Sequence, residues 1–429
     1  MNKFLLLSSW ALLWLLWTLS LYIDHEYLLL ESLHKVAIGI DKISLWLLIL
    51  SIMILYVIDT LSIGKEGDSL YWISVGLIVI AFIVLDIIIF YIAFELVLLP
   101  LVFILKSTLN TKGYRSKKIN KSINLLIFFS LFGSFMMLLG ICSILSIFQT
   151  SSYLVIYNLG LNNSFLISLF LLIGFSVKIP IFPFYLWLPF VHSEANTRGS
   201  ILLASLVLKL GTYGLLRFCV YLFNLDDTLI SIFSTFILLS IFLSSLNAIR
   251  QIDLKKLVAY TSITHMNLAT LGILSVNYIG YQGVILNMVS RGIISTGLFL
   301  LIGSLVSRYQ VRTIKYFRGL SLAMPLWSIF WLLFNLANIG FPPFSSFVSE
   351  LAIFTAIFSD NLFIGILSSF SIFLSGIYGI WLITRINSGP CLHVVYNDLT
   401  LSEFYLLSFL LFWSLVLGIF SNSFLGTIL

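Results

Sequence analysis

Charge is the scarcest commodity in this sequence. Asp, Glu, Lys and Arg make up 9% of its 429 residues, against 60% hydrophobic residues and a mean hydropathy of +1.11. Soluble domains run near 25% charged, so a water-soluble globular protein is excluded. Cysteine is nearly as sparse. Cys142, Cys219 and Cys391 stand alone, which offers neither a CxxC metal motif nor a disulfide framework. No Walker-type phosphate loop and no GxGxxG after a strand is present, so the chain is expected to bind neither nucleotide nor redox centre by itself. An Arg/Ser-rich amphipathic presequence is missing too, because Met1-Asn2-Lys3-Phe4 leads straight into apolar residues. Such a chain is expected to be made inside the compartment whose membrane it enters.

Long apolar runs fill the space that charge leaves. Runs of about 20 residues read as membrane spans, and thirteen are expected: 4–22, 43–63, 70–88, 89–106, 123–149, 164–190, 196–222, 227–249, 255–277, 279–306, 323–359, 362–385 and 402–424. The segment 24–42 reads as a polar interfacial stretch. Two of the spans contain proline clusters, KIPIFP at 178–183 and FPP at 341–343. Proline at that depth breaks a helix where lipid cannot satisfy the freed backbone groups, so both breaks should face a protein-lined, partly wet interior.

Basic residues fix the expected orientation. Of 23 Lys and Arg, seventeen fall on the N-terminal side of this layout, three (Lys35, Lys42 and Arg217) on the other, and Lys178, Lys209 and Arg291 within spans. The N-terminus is therefore expected inside, and the net charge of +6 is a topology signal that gives no reason to suspect nucleic-acid binding. Spans 70–222 and 227–385 form two sets of five, each interrupted in its fourth member. An odd number per set inverts the second relative to the first, a transporter layout. The expected units are 1–69, 70–223 (first repeat), 224–386 (inverted repeat) and 387–429, in an all-α polytopic membrane protein.

The ionisable groups inside the spans are the candidates for chemistry, because such groups are costly in lipid and functional by default. Glu95 lies in FYIAFELVLLP, with Lys178 its expected partner. Lys209 lies about a dozen residues from either end of its run, too far to snorkel. Ser205, Thr212 and Tyr213 stand at helical spacing from it and predict a polar face. Tyr260, Thr261, Thr264, His265 and Asn267 stripe one span, and Asn287, Arg291 and Ser295 the next. His265 fits a relay or a hydrogen-bonded packing residue equally well. Arg291 stays protonated and is expected to act as a fixed charge. Glu350, after the second break in FPPFSSFVSELAIF, is expected to be the last titratable group before the outside.

The segments FYIAFELVLLP, VKIP…LWLP…H.EA…GS, LKLGTYGLLRF, DLKKLVAYTSITHM, RGIISTGLF and PPF…SEL run in order from residue 86 to about 355. Together they resemble the subunit 4 family of proton-pumping NADH:ubiquinone oxidoreductase, respiratory complex I, whose members are antiporter-like membrane subunits. The resemblance implies Glu95 and Lys178 as a coupled pair, Lys209 as central proton carrier, His265 as relay and Glu350 as terminal group. It also implies that NAD, FMN, iron–sulfur clusters and ubiquinone belong to other subunits, with no cofactor or metal held by this chain. Its partners would be other membrane-arm subunits, including neighbouring antiporter-like ones, and lipids. Three departures stand out. Tyr185 occupies the position before LWLP that usually holds His, Arg291 another usual His position, and Glu194-Ala195-Asn196 replaces EAP. The family commonly has fourteen spans, and the first is expected to be missing here; a subunit 5 identity is disfavoured, as no long lateral helix is expected after 424.

The expected function is proton translocation driven by quinone reduction elsewhere in the complex, in a mitochondrial inner membrane with the N-terminus in the matrix. A bacterial plasma membrane or a plastid thylakoid is the alternative setting. Two rival functions are a cation/proton antiporter subunit of the same ancestry and a non-pumping structural spacer. Three buried basic groups and two buried carboxylates argue against the spacer, because each costs stability.

Overall fold

The apolar runs become helices because a backbone in lipid must satisfy its own hydrogen bonds. The computed structural model describes residues 28–32, 36–61, 68–107, 114–159, 165–220, 225–390 and 397–421; the expected first span, 4–22, lies outside them. A two-stranded antiparallel hairpin, β1 (Leu28–Ser32) and β2 (Val36–Ile40), opens the described chain. No strand was expected in this stretch. The β-branched alternation of Val36, Ile38 and Ile40 is the local signal for it.

Helices follow in chain order: α1 (Lys42–Thr60), α2 (Asp68–Ile83), α3 (Ile87–Leu96), α4 (Leu98–Lys106), α5 (Tyr114–Phe148), α6 (Tyr153–Leu159) and α7 (Phe165–Lys178). After the first break come α8 (Trp187–Glu194) and α9 (Thr197–Val220). Then follow α10 (Asp227–Arg250), α11 (Leu254–Leu274), α12 (Tyr278–Tyr309) and α13 (Pro325–Ile339). Past the second break lie α14 (Ser345–Asp360), α15 (Leu362–Asn387) and α16 (Leu401–Ile419). Among the described residues, nine helices are long and apolar enough to cross a membrane, and Ser69–Ile83, Phe165–Lys178 and Pro325–Ile339 are shorter apolar helices. The helix α5 begins nine residues before the expected 123, so the basic segment Arg115–Lys121 continues the helix as an overhang.

Burial ranks these helices. The hydrophobic window of α9 is wholly buried and that of α12 nearly so, whereas α15 is mostly exposed, with Phe363, Phe370 and Phe373 on its outer face. Helix α12 packs along α11 and α14, and α7 along α5 and α9. The centre of the molecule is thus the α9–α11–α12 layer, flanked by the two broken pairs α7/α8 and α13/α14. Two π turns, Leu203–Val207 and Leu216–Val220, lie within α9. Such wide turns take helix carbonyls off the regular ladder and recur at functional sites.

Candidate functional site

At both breaks the backbone groups released by proline are taken up by neighbouring side chains. Trp187 Nε1 donates to Val177 O (3.1 Å), and Asn267 Nδ2, from α11, donates to Pro180 O (3.3 Å). At the second break Arg291, from α12, donates to Asn338 O (2.9 Å) and to Asn338 Oδ1 (2.8 Å). Irregular backbone at membrane depth is therefore sealed by protein, the condition under which it is tolerated there.

Lys178 ends α7 and is buried. Its Nζ donates to the carbonyl oxygen of Phe94 (2.6 Å) and stands 3.6 Å from the centroid of the Phe94 ring. The expected partner is the next residue along, yet Glu95 forms no ion pair among the described residues, and its buried Oε1 has no hydrogen-bond partner. The pair is brought together but stands parted. A cavity of about 20 Å³, large enough for a water, lies beside Lys178 and is lined in part by Ser130, Trp187 and Val207.

Lys209 is 1% exposed. Its side chain folds back to donate to the carbonyl of Ala204 within the first π turn (2.7 Å). The polar face predicted for it serves other partners. Ser205 bonds Ile201 O, Thr212 bonds Lys209 O and Met288 Sδ, and Tyr213 Oη bonds Phe82 O. Helical hydroxyls commonly turn to carbonyls three or four residues back. What faces Lys209 comes from other helices: a cavity of about 10 Å³ is shared by Lys209, His265, Arg291, Ser295 and Asn338. Gly211 lets α9 approach α7 closely, since a Cβ there would meet Ile179 Cγ1 at 2.8 Å and Lys178 Cβ at 3.3 Å. The two lysines thus sit on directly packed backbones.

His265, Arg291 and Glu350 form one buried cluster. Arg291 is ion-paired with Glu350 through Nη2, and the same nitrogen meets His265 Nδ1 (2.7 Å). His265 Nδ1 lies 3.1 Å from Glu350 Oε1, and its Nε2 lies 3.4 Å from Tyr378 Oη on α15. Arg291 is thus a fixed charge with a named counter-ion. Glu350, expected to be the last titratable group before the outside, is 5% exposed and clamped by Arg291. Gly340 completes the cluster. It ends α13 at φ +85°, and a Cβ on it would lie 2.8 Å from Glu350 Oε2. Tyr185 is buried against Phe182, with ring centroids 6.3 Å apart.

Sequence reasoning did not find four buried partners. Tyr378 and Asn338 contact His265 and Arg291 as described. Arg217, placed outside by charge counting, is buried in the second π turn and paired with Asp41 at the start of α1. His192 is fully buried, stacked at 4.9 Å on Phe299. Its HxEA context was visible; its burial was not. Among the described residues no three His, Cys, Asp or Glu groups are placed to hold a metal.

Residues 85–375 match the family model described as NADH:quinone oxidoreductase/Mrp antiporter, transmembrane. NADH-ubiquinone oxidoreductase chain 4 of Acanthamoeba castellanii is 41% identical over 84% of this chain and 73% of its own length. The chain 4 protein of Chondrus crispus is 37% identical over 91% of this chain and 81% of its own. In fold, a chain of respiratory complex I from Thermus thermophilus superposes with a TM-score of 0.88 at 22% identity, over 98% of this chain and 92% of that one. A chain of the Mrp complex from Dietzia superposes at 0.87 and 16% identity, over 99% and 92%.

Proposed function

The chain belongs to the NADH:quinone oxidoreductase/Mrp antiporter family, among its NADH-ubiquinone oxidoreductase chain 4 members, and from that premise we propose that it translocates protons in the membrane arm of NADH:ubiquinone oxidoreductase. One observation carries the proposal: Lys209, buried and held by a backbone carbonyl, shares a water-sized cavity with His265 and Arg291. A buried lysine can give up and regain its proton, which arginine cannot. Lys209 is the carrier, His265 relays toward Tyr378 and Glu350 as the terminal group, and Arg291 is the fixed charge beside them. Closing and parting of Glu95 and Lys178 bias the protonation of Lys209 across the α7–α9 contact. Moving one charge against the membrane potential costs about 2.3 kcal/mol per 100 mV, and Coulomb coupling of charges in a protein interior reaches that order.

In this reading the chain has thirteen spans with two inverted five-helix repeats, 70–223 and 224–386, between an N-terminal unit, 1–69, and a C-terminal one, 387–429. The paired breaks in α7/α8 and α13/α14, each next to a buried cation and carboxylate, support that symmetry. The N-terminus faces the matrix of a mitochondrion, and thiol labelling of the basic segment 107–122 from that side tests the orientation. Redox cofactors and quinone belong to partner subunits. A sodium/proton exchange role is the second reading, supported by the breadth of the matching family; sodium dependence of transport separates it from pure proton pumping.

The direct test of the pair is Glu95→Gln in the assembled complex in vesicles. Proton pumping per NADH oxidised should fall several-fold, on the order of the loss of one charge coupling, with assembly intact. Native pumping in this variant would reduce Glu95 to a structural role.

A further inference from the structure

Lys178 must rest somewhere when it is parted from Glu95, and its resting place is specific. Its ammonium is held by two parts of one residue: the Phe94 carbonyl accepts a hydrogen bond at 2.6 Å, and the Phe94 ring presents its face at 3.6 Å from the centroid. A cation over an aromatic face gains most where water is excluded, and Phe94 is 1% exposed. The ring itself cannot swing freely. It lies edge-on to Phe175 (6.0 Å, 89°) and against Phe90 (5.7 Å). Phe175 in turn fills the notch left by Gly214, where a Cβ would meet its ring at 2.3 Å. Glu95 is the next residue on the same helix, and its buried Oε1 is unpartnered. A swing of one flexible side chain between neighbouring residues of one helix therefore exchanges a π face for a carboxylate.

We infer that Phe94 is a second seat for Lys178, a positioning residue whose ring and carbonyl hold the ammonium whenever the pair with Glu95 is open. This rests on the reading of Glu95 and Lys178 as a switching pair. The seat makes the open state a defined minimum, so that the pair toggles between two bound positions. A ring-less residue at 94 should trap Lys178 on Glu95, because the carboxylate is then the better of two unequal seats.

Phe94→Leu keeps the backbone carbonyl and apolar burial but removes the π face. The balance between seats should move about ten-fold toward the closed pair. In the assembled complex, pumping per NADH should fall several-fold, and electron microscopy should find Lys178 Nζ at salt-bridge distance from a Glu95 carboxylate oxygen. Phe218→Leu is the packing control, since it removes a ring of the same cluster that packs on Phe90 and Tyr153, away from Phe94; it should pump near the native level. Phe94→Met fills similar volume without a π face and replaces Leu if that variant fails to assemble. In a Glu95→Gln background, Phe94→Leu should add little, as expected for residues acting on one equilibrium. Equal losses from Phe94→Leu and Phe218→Leu, or Lys178 left on the residue 94 carbonyl with native pumping, would overturn the seat. A silent Glu95→Gln would overturn the pair reading instead, so the two failures are told apart.

Discussion

Each broken helix has a buried cation and a carboxylate beside it, and the two pairs are in opposite states. At the first break Lys178 rests on Phe94 and Glu95 stands apart from it. At the second, Arg291 is clamped on Glu350 and anchored by Asn338, with His265 alongside. The difference follows from the cations. Lysine is a compact charge on a flexible stem that can exchange its proton; arginine is a planar fork that stays charged and binds in fixed geometry. On the proposed reading, one half of the protein is built for a charge that moves, the other for a charge that stays. Lys209 sits between them, packed on Lys178 through Gly211 and sharing a cavity with Arg291 and His265.

This contrast can be broken most severely at the fixed end. Glu350→Gln leaves Arg291 buried without its counter-ion, an error worth about 3–5 kcal/mol, so the subunit should be lost from the assembled complex on native gels. Adding Arg291→Met to Glu350→Gln should restore assembly, because removing both charges of a buried pair costs far less than removing one; pumping should stay depressed. A failure of the double variant to reassemble would show that the pair is not what links these residues. Gly340→Ala forces a side chain into a left-handed turn and against the Glu350 carboxylate. It should cost about 1–3 kcal/mol and lower the thermal stability of the complex, whereas Ala at Gly376, where a Cβ meets nothing within 4 Å, should be neutral. The smallest effect is expected from Tyr378→Phe. It removes one long contact to His265, worth about 1 kcal/mol or less, and should slow pumping slightly without affecting assembly.

Much of this arrangement was readable in the residues. The nine spanning-length helices among the described residues lie where apolar length put them, and the breaks where proline stands at 180, 183, 342 and 343. Lys178, Lys209, His265, Arg291 and Glu350 announced themselves because ionisable groups are rare in such runs. Their partners did not, because partnership is set by packing between helices. Arg291 and Glu350 are 59 residues apart and His265 and Tyr378 are 113. The polar stripe along Lys209 misled for a physical reason: Ser205 and Thr212 bond carbonyls of their own helix, while Tyr213 reaches α2. A helical face says which side chains share a direction; it does not say which of them have already found a backbone partner. Nor does periodicity reveal a π turn, and it is the turn at Leu203–Val207 that contains the carbonyl seating Lys209.

The central claim is that Lys209 carries a proton and does not merely balance charge. Its most direct test is proton pumping by two variants of the assembled complex in sealed vesicles. Lys209→Arg keeps the charge but cannot release a proton at any relevant pH, and Lys209→Met removes charge and carrier together. The account predicts that both fall to a similar low level, with assembly maintained. Full pumping by Lys209→Arg, with loss confined to Lys209→Met, would contradict it and make Lys209 a structural cation.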